Sequence, residues 1–174
     1  MARASKKRRV KLATLLVVGE GLAEKAFIEH MKGLYSQNTG QKVTVKGEGG
    51  GSPSVMIFNV LKNYQHAKYD RVILMLDEDV PITAQDEAKA RRNNITLIVS
   101  SPVCLEGMLL SILEQVIPFG ASSSACKDLL HPQLSGSATR KESYSNLFPK
   151  PLLDRTEKAQ IVSLRELLSN RKKR

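Results

Sequence analysis

Four short apolar segments alternate with four helical patterns along residues 12–117, and this alternation restricts the fold more than any other feature of the chain. The segments that read as strands lie at 12–18, 42–48, 72–76 and 95–101. The segments that read as helices lie at 22–35, 54–67, 83–93 and 104–117. The alternation predicts an α/β fold, with a mostly parallel four-stranded sheet and helices on both of its faces.

The rest of the chain is arranged around this unit. A length of 174 residues allows one α/β domain with a substantial core. We expect a basic N-terminal arm at 1–11, the α/β domain at 12–118 and a C-terminal helical extension at 119–174. The extension comprises a short helix at 121–131, an irregular Ser- and Pro-rich stretch at 132–151, an amphipathic helix at 156–170 and a basic end.

Acidic residues follow two of the predicted strands. Glu20, between two glycines, follows the first strand, and Asp77, Glu78 and Asp79 follow the third. Ligands of parallel α/β sheets bind outside the carboxyl ends of the strands, so Glu20, Asp77 and Asp79 should lie along one edge. On an extended backbone Asp77 and Asp79 point the same way, and Glu78 points to the other side as a solvated or structural acid.

Carboxylates grouped in this way predict a divalent metal site. Like charges repel, and burying a carboxylate costs free energy unless a cation compensates it. Oxygen donors from Glu20, Asp77 and Asp79 suit Mg²⁺ or Mn²⁺. The alternative is an acidic loop at the start of a helix, where carboxylates stabilise the helix dipole without a metal.

Two further motifs have more than one interpretation. Glu106 lies in the apolar run "VCLEGMLL". It is either a buried carboxylate that must be paired, bound to a metal or turned toward the site, or a partly exposed acid in a first helical turn. The segment "GEGGGSPS" at 47–54 lacks the ending of a P-loop and reads as a flexible turn near the site. The three histidines, His30, His66 and His131, form no ligand pattern.

The positive charge is concentrated at the two ends of the chain. The net charge is +10, but six basic residues lie in 1–11 and four in 171–174, which leaves 17 basic and 17 acidic residues between them. Basic arms bind nucleic acid through salt-sensitive phosphate contacts, and the alternative is that they only increase solubility. The residues assigned to nucleic-acid binding are Lys6, Lys7, Arg8, Arg9, Arg171, Lys172, Lys173 and Arg174.

Cysteine content and hydropathy indicate a cytoplasmic protein. The two cysteines, Cys104 and Cys126, have no CxxC spacing. Their number and spacing argue against a zinc site or a disulfide framework and favour a reducing compartment. No segment reaches the roughly 20 apolar residues that a membrane span needs, so we expect no membrane contact.

Taken together, these motifs resemble the Toprim (topoisomerase–primase) family, and most closely its short, defence-associated RloB-like branch. The resemblance covers residues 12–116 and rests on the strand that ends at Glu20, on "AEKAFIEHMK", on "YDRVILMLDEDV" and on "SSPVCLEGMLL". In that family the strand-one glutamate and the DxD aspartates bind Mg²⁺ and support phosphodiester chemistry. Those roles would fall on Glu20, Asp77 and Asp79.

The branch also has a serine-proline element followed by a glutamate, which matches Ser101, Pro102 and Glu106 with one extra residue between proline and glutamate. The resemblance thus implies a Mg²⁺- or Mn²⁺-dependent nuclease of DNA or RNA, in antiphage defence or abortive infection. Its catalytic residues would be Glu20, Asp77, Asp79 and Glu106. A partner protein or larger defence complex would regulate cleavage.

Two other functions stay open. A haloacid-dehalogenase-type phosphatase also uses a DxD motif, and the segment 95–101 would mimic its serine motif. That family places the DxD on its first strand and needs an acidic pair late in the chain, and no such pair follows Glu114. The third possibility is a metal-free binding module with structural acids and basic tails that bind RNA or DNA.

Overall fold

The computed structural model describes residues 12–171, and its centre is a four-stranded sheet in which all neighbouring strands are parallel. The strands are β1 (Ala13–Gly19), β2 (Gln41–Gly47), β3 (Arg71–Asp77) and β4 (Ile95–Ser100). Their order across the sheet is β2-β1-β3-β4. The predicted α/β fold with a mostly parallel four-stranded sheet is therefore confirmed.

Helices cover both faces of this sheet. The described residues contain seven α-helices, namely α1 (Leu22–Tyr35), α2 (Pro53–Tyr64), α3 (Ala84–Arg92), α4 (Leu105–Ile112), α5 (Ser123–Leu130), α6 (Lys150–Arg155) and α7 (Ala159–Leu168). Helices α2 and α3 pack on one face, and the other five share the core on the opposite face. Within residues 12–171 no helix is both long enough and apolar enough to cross a membrane.

The central strands β1 and β3 supply both hydrophobic cores because they are buried on both faces. Leu15 and Val17 of β1 belong to the larger core, which includes α1 and α4–α7. Leu16 and Val18 belong to the smaller core under α2 and α3. Successive side chains of a strand point to opposite faces, so one continuous apolar run serves two helix layers.

The fourth predicted helix, at 104–117, is shorter than expected. Helix α4 ends at Ile112, and Glu114 takes a left-handed φ of 57°. The N–H of Gln115 donates to the Leu110 carbonyl at 3.1 Å, and the N–H of Glu114 donates to the Ser111 carbonyl at 3.2 Å. This pair of bonds is the Schellman arrangement that ends helices. The following residues, 113–121, form a loop that leads into α5.

The C-terminal extension packs into the larger core. The Ser- and Pro-rich stretch contains short 3₁₀ turns at His131–Gln133 and Lys141–Tyr144. Tyr144 and Phe148 are buried against Phe27 of α1, with ring centroids 5.5 and 6.1 Å apart from that of Phe27. His30 of α1 lies within hydrogen-bonding distance of the Phe148 carbonyl, 2.8 Å away. The extension and the sheet therefore share one core.

Candidate active site

The carboxyl ends of β1 and β3 bring two of the predicted residues together. Gly19 pairs with Met75 in the parallel register, so Glu20 and Asp77 leave adjacent strands at the same edge. The Glu20 Oε2 atom accepts a hydrogen bond from the Asp77 backbone N–H at 3.2 Å. A Cβ placed on Gly19 would lie 2.6 Å from the Glu24 Cβ, so this glycine is needed for α1 to approach the end of β1.

Asp77 is the most perturbed carboxyl group at this edge. Its side chain is 9% exposed, and its Oδ1 accepts a hydrogen bond from the Leu105 N–H at the start of α4, at 3.0 Å. Burial, together with the negative charges of Glu24, Glu20 and Glu106, raises the pKa of Asp77 to about 8 against the opposing Leu105 hydrogen bond. The ionised form of Asp77 is therefore destabilised in the folded chain.

Asp79 lies just beyond the strand rather than on it. β3 ends at Asp77 and residues 78–80 turn, so the argument from an extended backbone does not apply to Asp79. The exposed Asp79 carboxylate accepts a hydrogen bond from the Ser123 hydroxyl of α5 at 2.6 Å. Its negative charge also raises the pKa of Glu20, which places the two carboxyl groups within electrostatic reach of one another.

Glu78 has the structural role that the sequence predicts for it. Its carboxylate accepts hydrogen bonds from the Ser101 hydroxyl at 3.0 Å and the Val103 N–H at 2.9 Å. The Asp79 N–H donates in turn to the Val103 carbonyl at 2.9 Å. These bonds hold Val103 in a left-handed conformation, φ 68°, that β-branched residues rarely adopt. The acidic loop and the "SSPVC" loop are thus locked together.

Glu106 is buried and paired. It is 1% exposed, so the alternative of a partly exposed acid is wrong. One carboxylate oxygen lies 2.9 Å from Nε2 of His131, and the other lies 3.4 Å from the Cys104 Sγ, which donates to it. The negative charge of Glu106 raises the pKa values of Asp77 and Glu24, so this carboxylate belongs electrostatically to the same group.

Glu24 joins the site without having been predicted. It is 6% exposed, and its carboxylate accepts a hydrogen bond from the Gly21 N–H at 2.8 Å, which caps the start of α1. Burial raises its pKa, and Glu106 and Glu20 add to the rise. The available sequence signal was an acid three residues after Gly21, at the position where a glutamate caps a helix beginning at the site.

Helix α5 of the extension supplies the other residues that sequence analysis missed. Ser123 binds Asp79, and His131 follows the helix and contacts Glu106. Burial raises the pKa of Glu20, and the negative charge of Asp79 adds to this rise. The hydrogen bond from the Asp77 N–H and the positive charge of Lys127 oppose it. No sequence pattern marks these residues, because their role depends on where the extension docks.

The glycine-rich loop lies beside the same residues. The Gly50 N–H donates to the Glu20 carbonyl at 2.7 Å, and the Glu48 N–H donates to the Gly19 carbonyl at 3.3 Å. Gly49 and Gly50 have φ values of 80° and 87°, which favour glycine. The loop is therefore a strand-to-helix turn that lies next to Glu20.

Most of the residues assigned to nucleic-acid binding lie outside the described part of the chain. These are Lys6, Lys7, Arg8, Arg9, Lys172, Lys173 and Arg174. Arg171 is described, and its side chain is exposed.

The donors at the edge suit Mg²⁺ by their chemistry. Among residues 12–171, no group of three or more His, Cys, Asp or Glu side chains is arranged as a ready metal site. Proteins commonly hold Mg²⁺ through one or two carboxylates, together with waters and substrate phosphates, rather than in an all-protein cage. The carboxylates at this edge disfavour one another's ionised forms, and a cation of this kind would relieve that repulsion.

Comparisons with known proteins returned no match, whether to family models, to curated proteins or to solved structures.

Proposed function

We propose that this chain is a Mg²⁺- or Mn²⁺-dependent nuclease of the Toprim type, which cleaves phosphodiester bonds in DNA or RNA as part of antiphage defence in the cytoplasm. The observation that carries the proposal is the convergence of five carboxyl groups at one edge of the sheet. These are Glu20, Glu24, Asp77, Asp79 and Glu106.

The convergence is costly unless cations are present. In the described part of the chain, two basic side chains are seen to interact with these carboxyl groups. Lys127 acts on Glu20, and His131 contacts Glu106. Asp77 has no basic partner there and is 9% exposed. Buried like charges destabilise a fold, and groups perturbed in this way cluster at functional sites.

Asp77 and Asp79 would hold the metal, with Glu20 as a further ligand or as the general base or acid. When bound, Mg²⁺ would supply the positive charge that polarises the scissile phosphate and stabilises the leaving oxygen. Glu20 is half-buried with a raised pKa, which suits a group that exchanges a proton with the attacking water. The positive charge of Lys127, which acts on Glu20, would offset part of the charge of a phosphate, and the basic arms would retain the strand.

A non-catalytic nucleic-acid-binding module is the second candidate. It is favoured by the hydrogen bonds that Asp77 makes to the start of α4 and that Asp79 makes to Ser123, because both are roles a purely structural acid can have. The phosphatase alternative has less support, since the acidic motif follows β3 rather than the first strand.

Cleavage assays on matched substrates test the proposal. The full chain is incubated with Mg²⁺ or Mn²⁺ and labelled single-stranded and duplex forms of one DNA and one RNA sequence, with EDTA as the metal-free control. We expect cleavage of at least one substrate, its loss in EDTA and its loss in Glu20→Gln. The control Glu87→Gln, an exposed acid of α3 on the other face of the sheet, should cleave at the wild-type rate. If the wild type, Glu20→Gln and Glu87→Gln all bind nucleic acid without metal and none of them cleaves it, the binding module is supported instead.

A further inference from the structure

One aromatic side chain stands apart from the cores. Of the four phenylalanines, Phe27 and Phe148 are fully buried and Phe58 is about half-exposed beneath the Lys89 ammonium, whereas Phe119 is fully exposed. Val116, three residues earlier, is 90% exposed. Burying the ring against a partner would gain roughly 2 kcal/mol, so Phe119 and Val116 form a small apolar patch that is free to bind one.

The loop that presents Phe119 is held in place. Gln115 and Gln133 exchange two side-chain hydrogen bonds, of 2.7 and 2.9 Å. Ile117 is partly buried against the larger core, between the two exposed apolar residues. The Ala121 N–H then donates to the Pro118 carbonyl at 3.0 Å, with Gly120 at a φ of 72°. Phe119 therefore occupies the tip of a hydrogen-bonded turn.

This turn lies next to the carboxylate site. The loop runs back along α5. It begins beyond the end of that helix, where Gln115 contacts Gln133, and it finishes at Ser122, which caps the start of the helix. Ser123 binds Asp79, and four residues of chain can separate the Phe119 and Ser123 Cα atoms by at most about 14 Å. The ring is thus within a few nucleotides' reach of a strand whose phosphate is held at the proposed metal site beside Asp79.

We propose that Phe119 is a stacking platform for an unpaired base, and that the substrate is therefore single-stranded nucleic acid. This inference rests on the proposed function. Every base has an aromatic face, so a single exposed ring retains a strand without reading its sequence. In a duplex the base faces are already stacked and are not accessible to the ring.

The size of the patch favours a base over a protein. An aromatic side chain offers about 150–250 Å². Together with Val116 the patch covers less than half of the roughly 800 Å² that each partner buries in a standard protein interface. Lys127 on the following helix, whose positive charge acts on Glu20, favours a polyanion as well.

Tryptophan fluorescence provides a direct test, because the chain has no tryptophan. Phe119→Trp introduces one emitter at the turn, and Phe58→Trp introduces the matched control on the opposite helix layer. A single-stranded oligonucleotide, added in EDTA to prevent cleavage, should quench the emission of the Phe119→Trp variant and leave that of the control unchanged. Equal quenching of both variants, or of neither, would overturn the inference.

Affinity measurements with the same oligonucleotide complete the test. Phe119→Ala should weaken single-strand binding by roughly 5- to 150-fold, the effect of one stacked base, whereas Phe119→Tyr and Phe58→Ala should bind like the wild type. The matching duplex should bind Phe119→Ala and wild type equally. Unchanged single-strand affinity in Phe119→Ala overturns the inference. The inference is also overturned if the wild type sediments as a dimer and Phe119→Ala as a monomer that still binds the single strand equally well. These readouts need no catalysis, so they fail or succeed independently of the nuclease proposal.

Discussion

The Glu20 carboxylate accepts a hydrogen bond from the backbone N–H of Asp77 across two adjacent parallel strands, at 3.2 Å. This bond fixes the Glu20 side chain at the edge where Asp77 is buried and where Asp79 lies in the following turn. The proposed function depends on this placement, because it puts acids that are 57 residues apart in the chain into one electrostatic group.

The stability of the metal-free protein should depend on the charge of Asp77. Its pKa is about 8 in the folded chain against an ordinary value of 3.8, so the folded state binds the extra proton between these values. The contribution of Asp77 to the free energy of unfolding should therefore be highest below about pH 4 and fall as the pH rises to 8. Asp77→Asn keeps an oxygen for the Leu105 N–H and removes the charge, so it should remove this part of the pH dependence.

Urea unfolding in EDTA at pH 5 and pH 8.5 measures this effect. Relative to wild type, Asp77→Asn should gain at least about 1 kcal/mol between the two pH values, which is less than one pKa unit of free energy. A variant that loses stability relative to wild type at pH 8.5 would show that Asp77 acts as a charged cap of α4.

Magnesium should stabilise the wild-type chain against heat. At ten times Kd the gain is about 1.4 kcal/mol, which corresponds to roughly 3–6 °C in Tm for a chain of this size. Asp79→Asn retains an acceptor for the Ser123 hydroxyl but should lose the Mg²⁺-dependent shift. Asp128→Asn, an exposed acid on α5, should keep it. Equal shifts in both variants would mean that the metal binds elsewhere.

Removal of residues 1–11 should weaken nucleic-acid binding and reduce its salt dependence. The deleted arm carries six basic residues, and fewer phosphate contacts release fewer counterions. Titrations at several salt concentrations should give a shallower slope of log K against log salt for the truncated chain. Identical slopes and affinities would make the arm a solubility feature.

Much of the fold could be predicted from sequence because the strands have a simple cause. Continuous apolar runs such as Leu15–Val18 serve cores on both faces, and strands buried in this way are parallel and joined by helices. The meeting of Glu20 and Asp77 follows from the same topology. In the helix predicted at 104–117, however, apolar residues continued past Ile112, and the periodicity could not indicate that Glu114 would adopt a left-handed conformation.

The rest of the site depends on tertiary packing. Ser123, Lys127 and His131 reach the acids because the extension docks beside α4, and no local pattern encodes that docking. Glu24 was hidden for a different reason. In the sequence, Glu24 looks like an ordinary polar residue of an amphipathic helix. Only the close approach of α1 to Gly19 buries its carboxyl group at the site.

The rate at which wild type and Asp77→Asn cleave mixed-sequence single-stranded DNA and RNA in the same Mg²⁺ or Mn²⁺ buffer tests the central claim most directly. Asparagine matches aspartate in volume and keeps the hydrogen bond to α4, so the folded structure should persist while the metal loses a charged ligand. We predict cleavage by wild type and at least a hundredfold slower cleavage by the variant, consistent with roughly 3 kcal/mol of lost transition-state stabilisation. Equal rates for the two proteins would show that the acids at the end of β3 are not a catalytic metal site.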